Sequence, residues 1–393
     1  MRILFVSYNA PPTRSARSTR LASLGRWLMR RGHTLQIFTV DRGGDDAFML
    51  GRLEGAEFVR VPAGPLERGS WGWRASGATR QAGRSARARV KDALQHLVVP
   101  ERQIEWAVHL LRNQPLAAAD VVVSFVPPFS GAVVGHVLAR RMGAAHVIDY
   151  GDPWSLKINQ RLPRWRVAVD RRLERHLVSR AAGVVFNAPP TLEAMRASFP
   201  EQPRMACLLS GYDPDEYDPT PAPPGKELRH LGNLYDIRLP LDPLARAVEG
   251  HPAFERIAQY GQRHYVGLPD AFEERAPVPY QEALRLMQSA GALLLVGNRG
   301  ALQIPSKLYG YLGAGRPILA VVESGDDPVA RMGLGDQVVV TPCEESAIRQ
   351  ALDRLAERMD RSFEPPAQLR WEEIAAAYEA RLEEWVTGRP SAP

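Results

Sequence analysis

The sequence is poor in cysteine: Cys207 and Cys343 are the only two in 393 residues, and they lie far apart. That excludes a disulfide framework and a cysteine-built zinc site, and makes a reducing cytoplasm the expected setting. No run of about 18 apolar residues occurs, so no membrane-spanning helix is expected. No G-x-G-x-x-G follows a strand pattern, and G-x-x-x-x-G-K-S/T and H-E-x-x-H are both absent. A dinucleotide fingerprint, an ATP-binding P-loop and a zincin centre are thereby removed, and no His/Asp cluster suggests a metal. The opening "MRILFVSYNAPP" passes from a short apolar run straight into a turn, without an A-x-A-like cleavage site. It reads as a first strand, not a signal peptide.

What is present is the composition of a globular protein, 45% hydrophobic and 24% charged, long enough for two domains. The net charge is +6. Arginine concentrates in residues 74–102, where acids are few. A solvated helix face is one reading of that stretch. An anionic membrane surface is the other, with Trp71 and Trp73 as interfacial anchors. Nucleic acid is not an expected partner, because no recognised binding motif accompanies the charge.

Strand and helix patterns alternate along the chain. "RILFVSY", "HTLQIFTVD", "AEFVRVPA", "ADVVVSFVPP", "AHVIDYGDPW" and "AGVVFNAP" read as strands with amphipathic helices between them. One of these helices is expected in "PERQIEWAVHLLRNQ", with its proline in the first turn. The Pro-, Gly- and Asp-rich "GYDPDEYDPTPAPPGKE" breaks the alternation, which restarts with "ELRHLGNLY", "RIAQYG", "RHYVGLP", "GALLLVG", "PILAV" and "QVVVTP". Continuous Val/Ile/Leu strands between helices imply parallel sheets covered on both faces. The expected architecture is α/β, two doubly wound domains facing each other across a cleft, with ligands outside the carboxyl ends of the strands.

Four segments in order resemble the GT-B glycosyltransferases of the family 4 type. These are "FVSYNAPPTRSARSTRLASLGRWLMRRGHTLQIFTV", "ADVVVSFVPPFSGAVVGHVLARRMGAAHVIDYGDPW", "LLSGYDPDEYDP" and the pair "HLGNLYDIRLPLDPLARAV" with "IPSKLYGYLGAGRPILA". The second is similar to a subgroup whose loop reads "DFRDPW", the third to "NGxDxxxF", and the last to "iPxKlyEYlaaGrP". The resemblance implies an acceptor domain over residues 1–212, a linker over 213–226, a nucleotide-sugar donor domain over 227–368 and a helix over 369–393 crossing back. It implies transfer of a sugar from a nucleotide-sugar donor to an acceptor hydroxyl with retention of configuration, no metal and no cofactor beyond the donor. The acceptor is a glycan, a lipid-linked molecule or a small molecule. A non-catalytic or donor-divergent homologue of the same fold, acting as a binding or partner subunit, is the alternative.

Site residues follow from the same match. On the donor side they are Arg238, Ile304, Ser306 and Lys307, with backbone amides and two cations for a diphosphate. Gly310 stands where the family carries a ribose-binding glutamate, and the partner glutamate position falls at Leu302. Glu323 or Asp326 would be substitute acceptors. In the N-terminal loop Ser15 and Ala16 replace a family double glycine, flanked by Arg14 and Arg17, which suit a phosphate. Asp152, with Asp149 second, matches the catalytic position, and Gly151 replaces the subgroup's arginine.

Overall fold

The computed structural model describes residues 1–44, 46–64, 97–113, 117–156, 162–221, 223–234, 239–261, 269–300 and 302–388. Trp71, Trp73, most of the arginine-rich stretch, Arg238 and nearly all of "RHYVGLP" lie outside the described residues. The chain forms two compact units, Met1–Leu208 with Ala375–Pro393, and Leu209–Ile374.

The first unit is built on seven parallel strands in the order β3-β2-β1-β4-β5-β6-β7. They are β1 (Arg2–Ser7), β2 (Thr34–Asp41), β3 (Glu57–Pro62), β4 (Val121–Val126), β5 (Ala145–Tyr150), β6 (Gly183–Phe186) and β7 (Met205–Cys207). Every residue of β4 and β6 is buried, which is what a continuous apolar run between two helical layers produces. The covering helices are α1 (Ala16–Arg30), α2 (Ala47–Gly51), α3 (Ile104–Asn113), α4 (Ser130–Met142), α5 (Arg164–Val178) and α6 (Pro189–Ser198).

Helix α3 begins at Ile104 rather than at Pro100, contrary to the sequence expectation. Glu101, which would open the helix, instead accepts from Phe129 N at 2.9 Å and Ser130 N at 2.7 Å. Its carboxylate thus caps α4, where the free N–H groups of a longer helix attract an anion.

The second unit repeats the plan with six parallel strands in the order β10-β9-β8-β11-β12-β13. These are β8 (Leu228–Leu231), β9 (Ile257–Tyr260), β10 (Phe272–Arg275), β11 (Ala292–Val296), β12 (Ile318–Val322) and β13 (Val338–Pro342). Its helices are α7 (Asp242–Val248), α8 (Tyr280–Gln288), α9 (Lys307–Gly313), α10 (Pro328–Arg331) and α11 (Glu345–Ala356). Strand order reverses beside β1 in the first sheet and beside β8 in the second. Each reversal opens a crevice at the carboxyl ends, which is where ligands of doubly wound sheets bind.

In the segment expected as a linker, Tyr217 and Asp218 bond to residues of the second unit. Tyr217 Oη donates to Gly310 O at 2.9 Å, and Asp218 N donates to Gln288 Oε1 at 3.0 Å. The last helix, α12 (Trp371–Thr387), starts in the second unit and from Ala375 onward belongs to the first. Within the first unit Glu379 pairs with Arg31 at 2.5 Å and His33 at 2.6 Å, and Trp385 lies against Gly183 where a side chain would stand.

Candidate active site

In the first unit the candidate residues gather at the carboxyl ends of β1 and β5. The loop after β1 is fastened from its neighbours: Arg42 Nη1 donates to Asn9 Oδ1 at 2.6 Å, and Asp46 N donates to Pro12 O at 3.2 Å. Ser15 then caps α1, its Oγ accepting from Ser18 N at 3.0 Å. Its backbone is extended, with φ −164°, a conformation open to any residue. The serine therefore replaces the family glycine without strain and uses its hydroxyl as the cap. Ala16 is the first helical residue, and Ala16 and Arg14 are exposed.

Two arginines one turn apart on α1 point at the end of β5. Asp149 is fully buried and accepts from Arg20 Nε at 3.0 Å and Arg20 Nη2 at 3.0 Å, a bidentate pair. Arg17 Nη1 reaches the same carboxylate at 3.3 Å. The buried hydroxyl of Tyr378, from α12, stands beside this cluster. Burial first and then the Asp149 charge raise its pKa well above the ordinary tyrosine value. Burial lowers the Arg17 pKa, and Asp149 and Asp152 pull it back. A carboxylate engaged on this scale anchors α1 to the end of β5.

Gly151 explains how the second guanidinium fits. A Cβ built there falls 0.9 Å from Arg17 Nη2. Any side chain at this position would collide with Arg17, so the glycine and the arginine form a matched pair. Asp152, next along, is half-buried on a loop held at both ends. Gly151 N donates to Val126 O at 2.8 Å, Ser155 N donates to Glu174 Oε2 at 3.0 Å, and Trp154 stacks on Phe129 at 4.7 Å. Among the described residues of this loop, Asp152 is a half-buried carboxylate.

In the second unit the candidate residues flank the carboxyl end of β8. Gly232 has φ +108°, in the region that favours glycine, and a Cβ there would lie 2.5 Å from Lys307 Cε. Lys307 thus crosses the end of β8, and its Nζ donates to Asn233 O at 3.3 Å. The ammonium is held at the crevice where strand order reverses.

The backbone cradle expected at Ile304 to Lys307 is smaller than anticipated. Pro305 has no N–H, Ile304 is buried and α9 is only seven residues long, so its dipole adds little. Ser306 is exposed at the start of α9 and makes no side-chain cap. Of the substitute acceptors, Glu323 accepts from Gly300 N at 2.7 Å and Asp326 pairs with Arg331 at 2.7 Å. Leu302 is half-buried.

Gly310 differs from the other two glycines. Its Cβ position has only ordinary contacts, Met287 Sδ at 3.6 Å and Tyr217 Oη at 3.9 Å. Gly313, one turn later, is the glycine that Tyr217 requires, with Oη 2.5 Å from its Cβ position. Among the described residues no group of three or more His, Cys, Asp or Glu could hold a metal ion.

Arg20, Tyr378 and Gly232 were not singled out by the sequence. Arg20 had a signal, since it follows Arg17 at i+3 on one helix face. Tyr378 showed only as one of the apolar residues at helical spacing in the last helix, and the fold alone brings it to β5.

Residues 17–210 match the family described as Glycosyl transferase 4-like domain. This stretch of the chain is a glycosyl transferase 4-like domain. The match supports glycosyltransferase activity, and the whole chain has the GT-B fold of solved glycosyltransferases. Sucrose-phosphate synthase from Thermosynechococcus elongatus is 13% identical, with a TM-score of 0.65 over 98% of this chain and 99% of that one. HepE from Anabaena, solved in complex with UDP and glucose, is 12% identical, with a TM-score of 0.61 over 98% and 99%. A glycosyltransferase from Rickettsia africae is 10% identical, with a TM-score of 0.60 over 98% of both chains. The comparison with curated protein sequences finds no match. Among the described residues no helix is long and apolar enough to cross a membrane.

Proposed function

We propose that this glycosyl transferase 4-like protein moves a hexosyl group from a nucleotide sugar to an acceptor hydroxyl, with retention of configuration. The second unit holds the donor and the first the acceptor. The observation that carries the reading is Lys307, laid over Gly232 at the end of β8. An ammonium there compensates the charge that grows on a departing diphosphate. Arg238, outside the described residues, supplies the second cation by its place in the motif, and Arg14 and Arg17 suit a phosphate on the acceptor side. The donor's glycosidic C–O bond breaks and a new one forms to the acceptor oxygen. The hydroxyl proton passes to Asp152 or to the leaving diphosphate, and in the second case Asp152 orients the hydroxyl. The donor is a substrate, and the reaction as read uses no further cofactor and no metal.

The absence of carboxylates at Gly310 and Leu302 favours a second reading, a non-catalytic binder of carbohydrate or partner on the same fold. Calorimetric titration with a panel of nucleoside diphosphates and nucleotide sugars separates the two. The transferase reading expects saturable nucleotide binding that falls at least about tenfold in Lys307→Ala, the loss of one charge-assisted contact. Binding of carbohydrate alone, with no nucleotide affinity, would establish the second reading instead.

A further inference from the structure

The described residues expose five large apolar side chains, and three of them, Trp165, Val167 and Val169, lie on α5, where Trp165 and Val169, four apart, share a face. Trp165 is 47% exposed and Val169 41%, on the first two turns of α5. Leu97, 64% exposed, is brought alongside by Arg166, whose Nη1 donates to Val98 O at 2.9 Å and whose Nη2 donates to Pro100 O. Arg166 is itself buried and paired with Asp170 at 2.9 Å, so the arrangement is built into the fold.

Charge on this helix is sorted by face. Its acids, Asp170 and Glu174, are both buried. The exposed positions from 164 to 172 carry Arg164, Arg171 and Arg172 and no carboxylate. Tryptophan and valine flanked by arginines, with the acids turned inward, are what a helix lying in a lipid interface presents.

We propose that the amino-terminal half of α5, with Leu97, is a docking surface for an anionic lipid bilayer. Trp165 and Val169 enter the headgroup region while the three arginines pair with lipid phosphates. The helix follows β5, so its start lies at the edge of the first sheet that carries Asp152. An acceptor borne on the bilayer would reach that edge from the same side. The docking goes beyond the transferase reading and does not depend on it.

Flotation of the full chain tests this, with vesicles of phosphatidylcholine alone and of phosphatidylcholine mixed with phosphatidylglycerol. The wild-type chain is expected to float with the mixed vesicles, and less so as salt is raised. Trp165→Ala/Val169→Ala and Arg164→Glu/Arg171→Glu/Arg172→Glu should each weaken binding by at least about tenfold. The substituted side chains are exposed, so nucleotide titration of the same variants should be unchanged. No vesicle binding by the wild type overturns the proposal, and so does equal binding to phosphatidylcholine alone. Undiminished binding by both variants also overturns it and would move the contact to the arginine-rich residues 74–102.

Discussion

Gly151 in the first unit and Gly310 in the second both stand where the resembling family carries a charged side chain, yet the structure treats them in opposite ways. The space a side chain would take at Gly151 is filled by the guanidinium of Arg17. The charge lost from the β5 loop is thus replaced by one delivered from α1. At Gly310 nothing has moved in, and the nearest atoms stand at ordinary contact distance. A missing side chain is therefore compensated on one side of the chemistry and uncompensated on the other.

The first unit's cluster should be the harder to disturb. Asp149→Ala leaves the Arg20 guanidinium buried without its carboxylate and is expected to cost about 3–5 kcal/mol. Chemical denaturation checks this, and a cost near zero would mean that the pair is not the anchor described. Gly151→Ala makes the end of the flexible Arg17 side chain move off its 3.3 Å contact with Asp149 and should cost about 0.5–1.5 kcal/mol. Arg17→Ala combined with Gly151→Ala should recover most of that loss, giving a clear interaction energy in a double-mutant cycle. Strict additivity would show that the two positions do not share space.

Gly310→Ala should be the mildest change and of opposite sign. Replacing an interior helix glycine where a Cβ has room is expected to stabilise by up to about 1 kcal/mol. A rise in Tm checks it. Gly310→Glu sharpens the contrast, because it should raise affinity for an ordinary nucleoside diphosphate if the ribose lies against α9. A loss or no change would mean that the sugar is held elsewhere.

The fold was legible in the sequence because buried parallel strands are written as unbroken apolar runs. "VVVSFV" and "ALLLV" cannot be half-exposed strands. The misses have local causes. β7 has three residues, and β10, "FEER", is a polar edge strand without an apolar run. Helix α3 starts late because Glu101 is engaged by the backbone of Phe129 and Ser130, a contact between residues about 28 apart in sequence. The site was legible as a list of positions but not as an arrangement. The resemblance ranked Asp152 before Asp149, and the structure adds that Asp149 is fully buried in ion pairs while Asp152 is half-buried. Spacing does not reveal that Gly151 is empty because Arg17 fills its place.

The transferase reading rests on Lys307 gripping the donor's diphosphate in the second unit. A crystal soaked with a nucleotide sugar tests it most directly. The diphosphate should lie within hydrogen-bonding distance of Lys307 Nζ, over Gly232 at the end of β8. Nucleotide bound elsewhere, with that place closed by side chains, would contradict the account.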